Sequence, residues 1–253
     1  MYKYTAVIVE PRKHKALDFV LRNALDCLSK EWRIILFHGT KNITYVKDLE
    51  TNICNDRLCL VELPGVENLN NITYSELFTT RSIIYDNIDT EVFIVFQTDS
   101  IIFKKNAHKI NEYIEKEYDY IGPPWLQTNY YYTKASNFIG NGGFSLRRKT
   151  KMLEIIDSID WYSLTEYCDK VEDLFFSICR DNISVSKPEY NVALEFCLGE
   201  VPLNETQLHN TFACHQTGII TNNDNSNNSS YIKLLYSVYP ELEYLKNLQY
   251  IEE

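Results

Sequence analysis

The segment VFIVFQTDSII (residues 92–102) sets a carboxylate, Asp99, inside the most hydrophobic stretch of the chain. Five apolar residues, Val92 to Phe96, precede Gln97-Thr98-Asp99-Ser100, and the apolar run resumes at Ile101. An ionised group withdrawn from water without a partner is costly, so Asp99 needs backbone donors, an arginine or lysine, or a metal ion. A hard divalent cation takes oxygen ligands and keeps open positions for phosphates. Mg²⁺ or Mn²⁺ held by one or two carboxylates with a diphosphate is therefore one of the chemistries open here. Three other short stretches carry groups of the same interest. Asn141-Gly142-Gly143 offers adjacent glycines, which let backbone approach a ligand or take a positive φ, or which form a plain turn before a helix. Glu172-Asp173 in VEDLFF lies near a helix start, where acids ordinarily complement the dipole from the surface. On a helical wheel, however, Glu172 falls between Phe175 and Phe176, hence desolvated or paired, with Asp173 about 100° further round. His215 in FACHQT (212–217) stands beside an apolar run, where a satisfied core imidazole is the ordinary alternative to a ligand.

These groups need elements to hold them. YTAVIVE (4–10), WRIILFHG (32–39), RLCLVEL (57–63) and residues 92–96 read as strands apolar throughout. Between them, ALDFVLRNALDCL (16–28) has helical apolar spacing. TYSELFTTRSIIYDNI (73–88) reads as one helix with a Thr73–Glu76 capping box, and NAHKINEYIEKEYD (106–119) as a surface helix. Strands apolar on both faces, alternating with helices, predict an α/β fold with a largely parallel central sheet flanked by helices on both sides. Such sheets bind ligands beyond the carboxyl ends of their strands. Glu10–Arg12, His38–Gly39 and Gln97–Asp99 all lie at such ends and converge on one rim. Further on, YDYIGPPW (118–125) is a short strand entering a turn, and NFIGNGGFSLRRKTKMLEII (137–156) a loop, strand and helix. A helix is predicted over 164–181 from Ser163–Glu166, then a low-complexity loop (221–230) and a helical tail interrupted near Pro240. With no repeat and no clean linker, residues 1–253 read as one domain.

Composition bounds the function. The 253 residues carry a formal net charge of −10, which argues against a phosphate-tracking nucleic-acid binder. No apolar run reaches the length of a membrane span, and the N-terminus is charged too soon for a signal peptide. The seven cysteines are odd in number and scattered; Cys54 and Cys59 can pair, but no disulfide or zinc framework is indicated. A reducing, cytoplasmic setting is expected.

Taken together, VFIVFQTDSII, YDYIGPPW, NGGFSLR and EDLFF, with VIVEPR and WRIILFHG before them, resemble DUF5672, a family of glycosyltransferase-like proteins of bacteria and giant viruses. The resemblance spans about residues 5 to 216. It implies a GT-A fold, with residues 1–105 as a nucleotide-binding half, 106–220 as an acceptor and catalytic half, and 221–253 as a loop and tail. It implies a nucleoside-diphosphate sugar donor and a glycan or protein acceptor, in the host cytoplasm or virion if the source is viral. Gln97-Thr98-Asp99 sits where GT-A enzymes carry a metal-binding Asp-x-Asp, with Gln97 replacing the first acid. The resemblance further implies Mn²⁺ or Mg²⁺ on Asp99 and His215, with His209 in reserve. It makes Asp173 the base, with Glu172 binding an acceptor hydroxyl or orienting its neighbour. Donor contacts fall to Glu10, Arg12, His38, Gln97, Asp99, Asn141, Gly142 and Gly143, and sugar stacking to Trp125 and the tyrosines of NYYYT (129–133). Two other classes stay open: a sugar nucleotidyltransferase, against which the glycine-free VEPRKHK loop counts, and a non-catalytic carbohydrate-binding or virion structural protein.

Overall fold

A computed structural model describes residues 1–126, 138–178, 183–216 and 228–249. Its strands are β1 (Tyr4–Val9), β2 (Trp32–Gly39), β3 (Leu58–Leu63), β4 (Val92–Phe96), β5 (Ile101–Ile102), β6 (Tyr120–Ile121), β7 (Phe144–Arg148), β8 (Cys197–Leu198) and β9 (Ala213–Cys214). The main sheet has the order β3-β2-β1-β4-β7-β6. The four apolar segments pair in parallel, with Tyr4 opposite both Trp32 and Val92, and Ile34 opposite Leu58. β7 departs from the parallel rule: it runs antiparallel to β4, with Phe96 opposite Phe144, and carries β6 on its outer edge.

The side chains explain why the centre is apolar on both faces. Ala6, Ile8, Ile34, Leu36 and Ile94 join one buried cluster, while Val7, Ile35, Phe37, Phe93 and Val95 join the other. The helices are α1 (Leu17–Cys27), α2 (Ile43–Ile53), α3 (Asn71–Thr79), α4 (Ile83–Asn87), α5 (Ile110–Glu115) and α6 (Lys149–Ser158). There follow α7 (Tyr167–Lys170), α8 (Glu172–Ser177), α9 (Tyr190–Phe196), α10 (Glu205–Asn210), α11 (Asn228–Val238) and α12 (Glu241–Asn247). Helices α1, α2 and the C-terminal pair pack on the first cluster, and α3, α4, α6 and α8 on the second. This is the predicted layering.

A second, three-stranded sheet matters more for the site. Its order is β5-β9-β8, with Ile101 opposite Cys214. Because β5 leaves the Gln97–Ser100 turn and β9 leads into His215, this pairing brings the Asp99 turn and His215 to the same end.

Several boundaries differ from the sequence reading. The 73–88 helix is two, α3 and α4. Its cap is Asn70, whose side chain accepts from the Ile72 and Thr73 amides while the Thr73 hydroxyl accepts from the Asn70 amide. Thr73 thus stands at the third helical position and Glu76 takes no part in the box. The 106–119 helix is a 3₁₀ turn, Lys104–Lys109, followed by the shorter α5. The 164–181 helix is interrupted by extended backbone at Val171 (φ −71°, ψ 129°), so that α7 and α8 are separate; Glu166 is the N-cap position of α7, without a side-chain capping bond. Cys54 and Cys59 are both thiols. The tail is broken after Tyr239, as predicted, but it belongs to the core. Tyr239 stacks on Phe103 at 3.5 Å, Leu245 is fully buried, and Gln249 donates to the Thr98 carbonyl at 2.8 Å.

Candidate functional site

Beyond the carboxyl end of β4, residues Gln97–Ser100 form a turn closed by the Ser100 amide on the Gln97 carbonyl, 3.1 Å. Ser100 is buried, and its hydroxyl accepts from the Gln97 amide at 3.2 Å while donating to the Gly143 carbonyl at 3.1 Å. The turn that presents Asp99 is thereby tied to the glycine pair. Asp99 keeps 30% of its side chain exposed, and its ion-pair partner is the buried His215, with Nε2 to Oδ1 at 3.4 Å. The same Nε2 lies 3.2 Å from Gln97 Oε1. Burial pushes the Asp99 carboxyl up, but His215, the main-chain amide and His14 outweigh it and hold the group below the usual carboxylate range.

The glycine pair is needed for a reason that spacing does not disclose. A Cβ on Gly143 would overlap the His215 imidazole, and one on Gly142 would overlap the Glu172 carboxylate. Each α-carbon is a seat for one of the protein's own polar side chains, His215 on Gly143 and Glu172 on Gly142. Asn141 steadies the loop by accepting from the Gly143 amide at 3.1 Å.

Glu172 is buried and ion-paired to Arg147, a fully buried guanidinium. Arg147 donates to Ser145 Oγ at 2.8 Å and to the Gly142 carbonyl at 3.2 Å. It also lies 5.4, 5.2 and 5.6 Å from the ring centres of Phe78, Tyr120 and Phe176. Burial disfavours this cation, yet Glu172 and the surrounding tyrosines leave its pKa raised. The carboxylate of Glu172 is paired with Arg147 and also lines the central cavity. Asp173 accepts from the Leu174 amide at 2.7 Å. Burial first and the Glu172 charge second push its carboxyl up to about 7, against the opposing pull of the Leu174 amide, Arg147 and the Gly142 amide.

Among the described residues, three cavities run along the rim. The first, about 300 Å³, is lined by Glu10, Arg12, His14, Tyr74, Asp99 and Gln249 among others. The second, about 200 Å³, is lined by Gln97, Asn141, Gly142, Gly143, Asp173 and His215 among others. The third, about 530 Å³, lies between Asn71, the α7 segment and Asp173. Asn71 borders all three, Tyr74 and Gln97 join the first two, and Asp173 joins the last two. Within the first, the buried Glu10 grips Arg12 through two contacts of 2.8 Å and its amide at 2.9 Å, leaving the arginine half-exposed at the rim.

The structure thus brings Glu10, Arg12, Gln97, Asp99, Asn141, Gly142, Gly143, Glu172, Asp173 and His215 to one cleft. His38 is not among them: it is buried, bonded to the Gly39 carbonyl at 2.9 Å, and lines none of these cavities. Trp125 is a correction. It is 1% exposed and packs with Cys168 and Leu174, so its face is covered and cannot stack on a sugar. His209 is exposed at the end of α10, away from the cleft. NYYYT lies outside the described residues. Sequence reasoning missed Arg147, Ser100, His14, Tyr74, Asn71 and Gln249; of these, only Arg147 had a signal, as the counter-charge that a buried Glu172 demands.

A family model described as "Protein of unknown function (DUF5672)" matches residues 62–215, more than half of the chain. Among solved structures, the galactosyltransferase LgtC in complex with donor and acceptor sugar analogs matches with a TM-score of 0.54 at 9% identity, over 93% of this chain and 96% of that one. An active-site mutant of LgtC gives 0.55 at 10% identity, over 92% and 95%. The glycosyltransferase GlyE of Streptococcus pneumoniae TIGR4 gives 0.50 at 11%, over 100% of this chain and 66% of that one. At such identities the likeness establishes the fold, which is that of the GT-A glycosyltransferases. No curated protein matches the sequence.

Two outcomes follow from this packing. Arg147→Met, by leaving Glu172 buried without its counter-charge, should cost about 3–5 kcal/mol in urea unfolding. The Arg147→Met/Glu172→Leu double variant should recover most of that loss; a double variant as unstable as the sum of the singles contradicts the pairing. Gly143→Ala should cost about 1–3 kcal/mol by overpacking against His215. The same change should cost clearly less in a His215→Ala background, which a double-mutant cycle measures.

Proposed function

The chain belongs to the DUF5672 family, and we propose that it is a glycosyltransferase. On this reading it moves a sugar from a nucleoside-diphosphate sugar to an acceptor hydroxyl of a glycan or protein, with inversion and with Mn²⁺ or Mg²⁺. The observation that carries this reading is one continuous cleft at the carboxyl ends of the parallel strands, holding two acids of opposite character. Asp99 is held ionised next to His215 and Gln97, and Asp173 is held more basic than an ordinary carboxylate.

The donor set suits the ion that the fold family implies. Asp99 is paired with an imidazole, and Nε2 of His215 approaches both Asp99 Oδ1 and Gln97 Oε1. Among the described residues no group of three or more His, Cys, Asp or Glu side chains gathers, so a closed structural metal site is not what these residues build. One carboxylate, one imidazole and one amide oxygen instead match a hard cation that leaves positions for water and phosphate. Asp99 and His215 would hold it, with Gln97 as a neutral ligand or a hydrogen-bonding neighbour. When bound, such an ion neutralises the charge that builds on the departing diphosphate.

The remaining work falls to the chain itself. Arg12, oriented by Glu10, offers a guanidinium to the nucleotide in the first cavity. His14 accepts the Ala16 amide on Nδ1 at 3.2 Å, and burial keeps its pKa below the ordinary value, so its neutral ring has Nε2–H left as a donor. Asp173 takes the proton from the acceptor hydroxyl as that oxygen attacks the anomeric carbon, and a pKa near neutrality is well matched to a general base. Glu172, locked by Arg147, raises the basicity of Asp173 through like-charge repulsion.

Thermal shift with UDP, GDP and dTDP, each with and without Mn²⁺, tests the donor and metal together. One diphosphate should stabilise the protein in a Mn²⁺-dependent way, and Asp99→Asn or His215→Ala should remove that dependence. No stabilisation by any of the three would favour a non-catalytic binding protein. The base makes a separate prediction. Because Asp173 must be ionised to act, kcat/KM should rise with pH through about 7. Asp173→Asn should lower kcat by a factor on the order of 10²–10⁴. A raised folded-state pKa means that the native state binds the extra proton, so stability falls as pH rises from the unfolded pKa towards about 7. Asp173→Asn should therefore raise the Tm near pH 8 while removing turnover.

A further inference from the structure

The third cavity is the largest of the three, and its volume of about 530 Å³ is that of a small-molecule site. Its walls are unlike those of its neighbours. Tyr167 presents a ring that is 59% exposed, beside the apolar side chains of Val171 and Leu174. The charged groups that line it among the described residues are both acids, Glu166 and Asp173. No lysine, arginine or histidine among the described residues lines it, whereas the first cavity has Arg12 and His14. Asp173 forms the border with the central cavity, so a molecule seated against Tyr167 lies within reach of the proposed base.

We propose that this cavity takes an uncharged sugar acceptor, which lays the C–H face of a pyranose ring or an aryl aglycone on Tyr167 and presents a hydroxyl to Asp173. Acceptors that carry a phosphate or carboxylate are turned away. This rests on the transferase reading for the word acceptor, and on the cavity itself for the ligand class. Aromatic faces pair with the apolar faces of sugars while leaving the hydroxyls free to be hydrogen-bonded. Above about pH 7, where Asp173 is ionised, an anionic group would meet two carboxylates with no counter-charge from the described walls, and like charges repel. The same acids tolerate a neutral hydroxyl well, since each carboxylate oxygen is an acceptor.

The test uses the full chain and two probes that differ only at C6, para-nitrophenyl β-D-glucopyranoside with a hydroxymethyl group and para-nitrophenyl β-D-glucuronide with a carboxylate, titrated at about pH 8 by saturation-transfer NMR. The glucoside should bind saturably in the millimolar range or below, and the glucuronide about tenfold or more weakly. Glu166→Gln, at an exposed position, should narrow that gap by raising glucuronide affinity, and Tyr167→Ala should weaken the glucoside about tenfold. Equal or tighter binding of the glucuronide, absence of saturable glucoside binding, or indifference to Tyr167→Ala overturns the proposal. The nucleotide thermal shift is read separately. If it fails while the glycoside pattern holds, the transferase reading falls and the neutral-sugar site stands; if it succeeds while the glycoside pattern fails, only the acceptor class is lost.

Discussion

A guanidinium with no exposure to water holds the Asp173 side of the cleft together. Arg147 leaves the antiparallel strand β7 and reaches across to Glu172 at the start of α8, with Ser145 accepting from its Nε and the Gly142 carbonyl from its Nη2, while Nη1 is buried without a hydrogen-bond partner among the described residues. Taking two such charges out of water is expensive, and their attraction offsets that cost only when the geometry is good and the remaining donors are satisfied. Three aromatic rings around the guanidinium supply the rest of its environment. Through this pair the strand, the glycine loop and the helix that carries Asp173 are fixed relative to one another. Without it Asp173 would sit at the end of a two-turn helix with little to orient it.

The Asp99–His215 side of the cleft is organised by a different, uncharged connection. Ser100 links the Asp99 turn to the Gly143 carbonyl, and the Gly143 α-carbon is the floor on which His215 rests. The small sheet that pairs β5 with β9 sets the same separation from the other direction. Two routes, one through a buried hydroxyl and one through a strand ladder, thus hold a carboxylate and an imidazole that are 116 positions apart in sequence. Both routes meet at the glycines, which is why the polar groups on either side of NGGF converge.

The layering was legible because continuous apolar runs at strand length can be satisfied only by a sheet covered on both faces, and β1 to β4 are such runs. Asp99 was legible for the complementary reason: one acid in an apolar segment demands an explanation. The wheel placed Glu172 on the apolar side of α8, and its partner is indeed buried, but the identity of that partner could not be read. Arg147 follows a strand alternation that looks the same whether its long side chain points to solvent or to a buried acid. Trp125 failed because an aromatic after Pro-Pro looks equally suited to an exposed platform or to a small core with Cys168 and Leu174. The break at Val171 was invisible to periodicity, since the apolar spacing continues across it and only tertiary contacts decide that the backbone is extended there. Gln249 could not be anticipated at all: it reaches Thr98 only because the tail packs Leu242 and Leu245 into the core.

Two acids in one cleft are driven in opposite directions by their neighbours, and this separates their roles. Asp99 feels an imidazole and amide donors, which favour its ionised form despite burial. Asp173 feels burial and a second carboxylate, which favour its protonated form. A carboxyl whose ionised form is favoured is suited to facing a cation, whereas a group that gains and loses a proton near neutrality is suited to transfer one. Arg147 bears on Asp173 in two ways. By pairing with Glu172 it keeps that charge in place as a repulsive neighbour, while its own pull on Asp173 is outweighed by burial and by Glu172. The buried ion pair is therefore part of the proposed chemistry as well as of the fold.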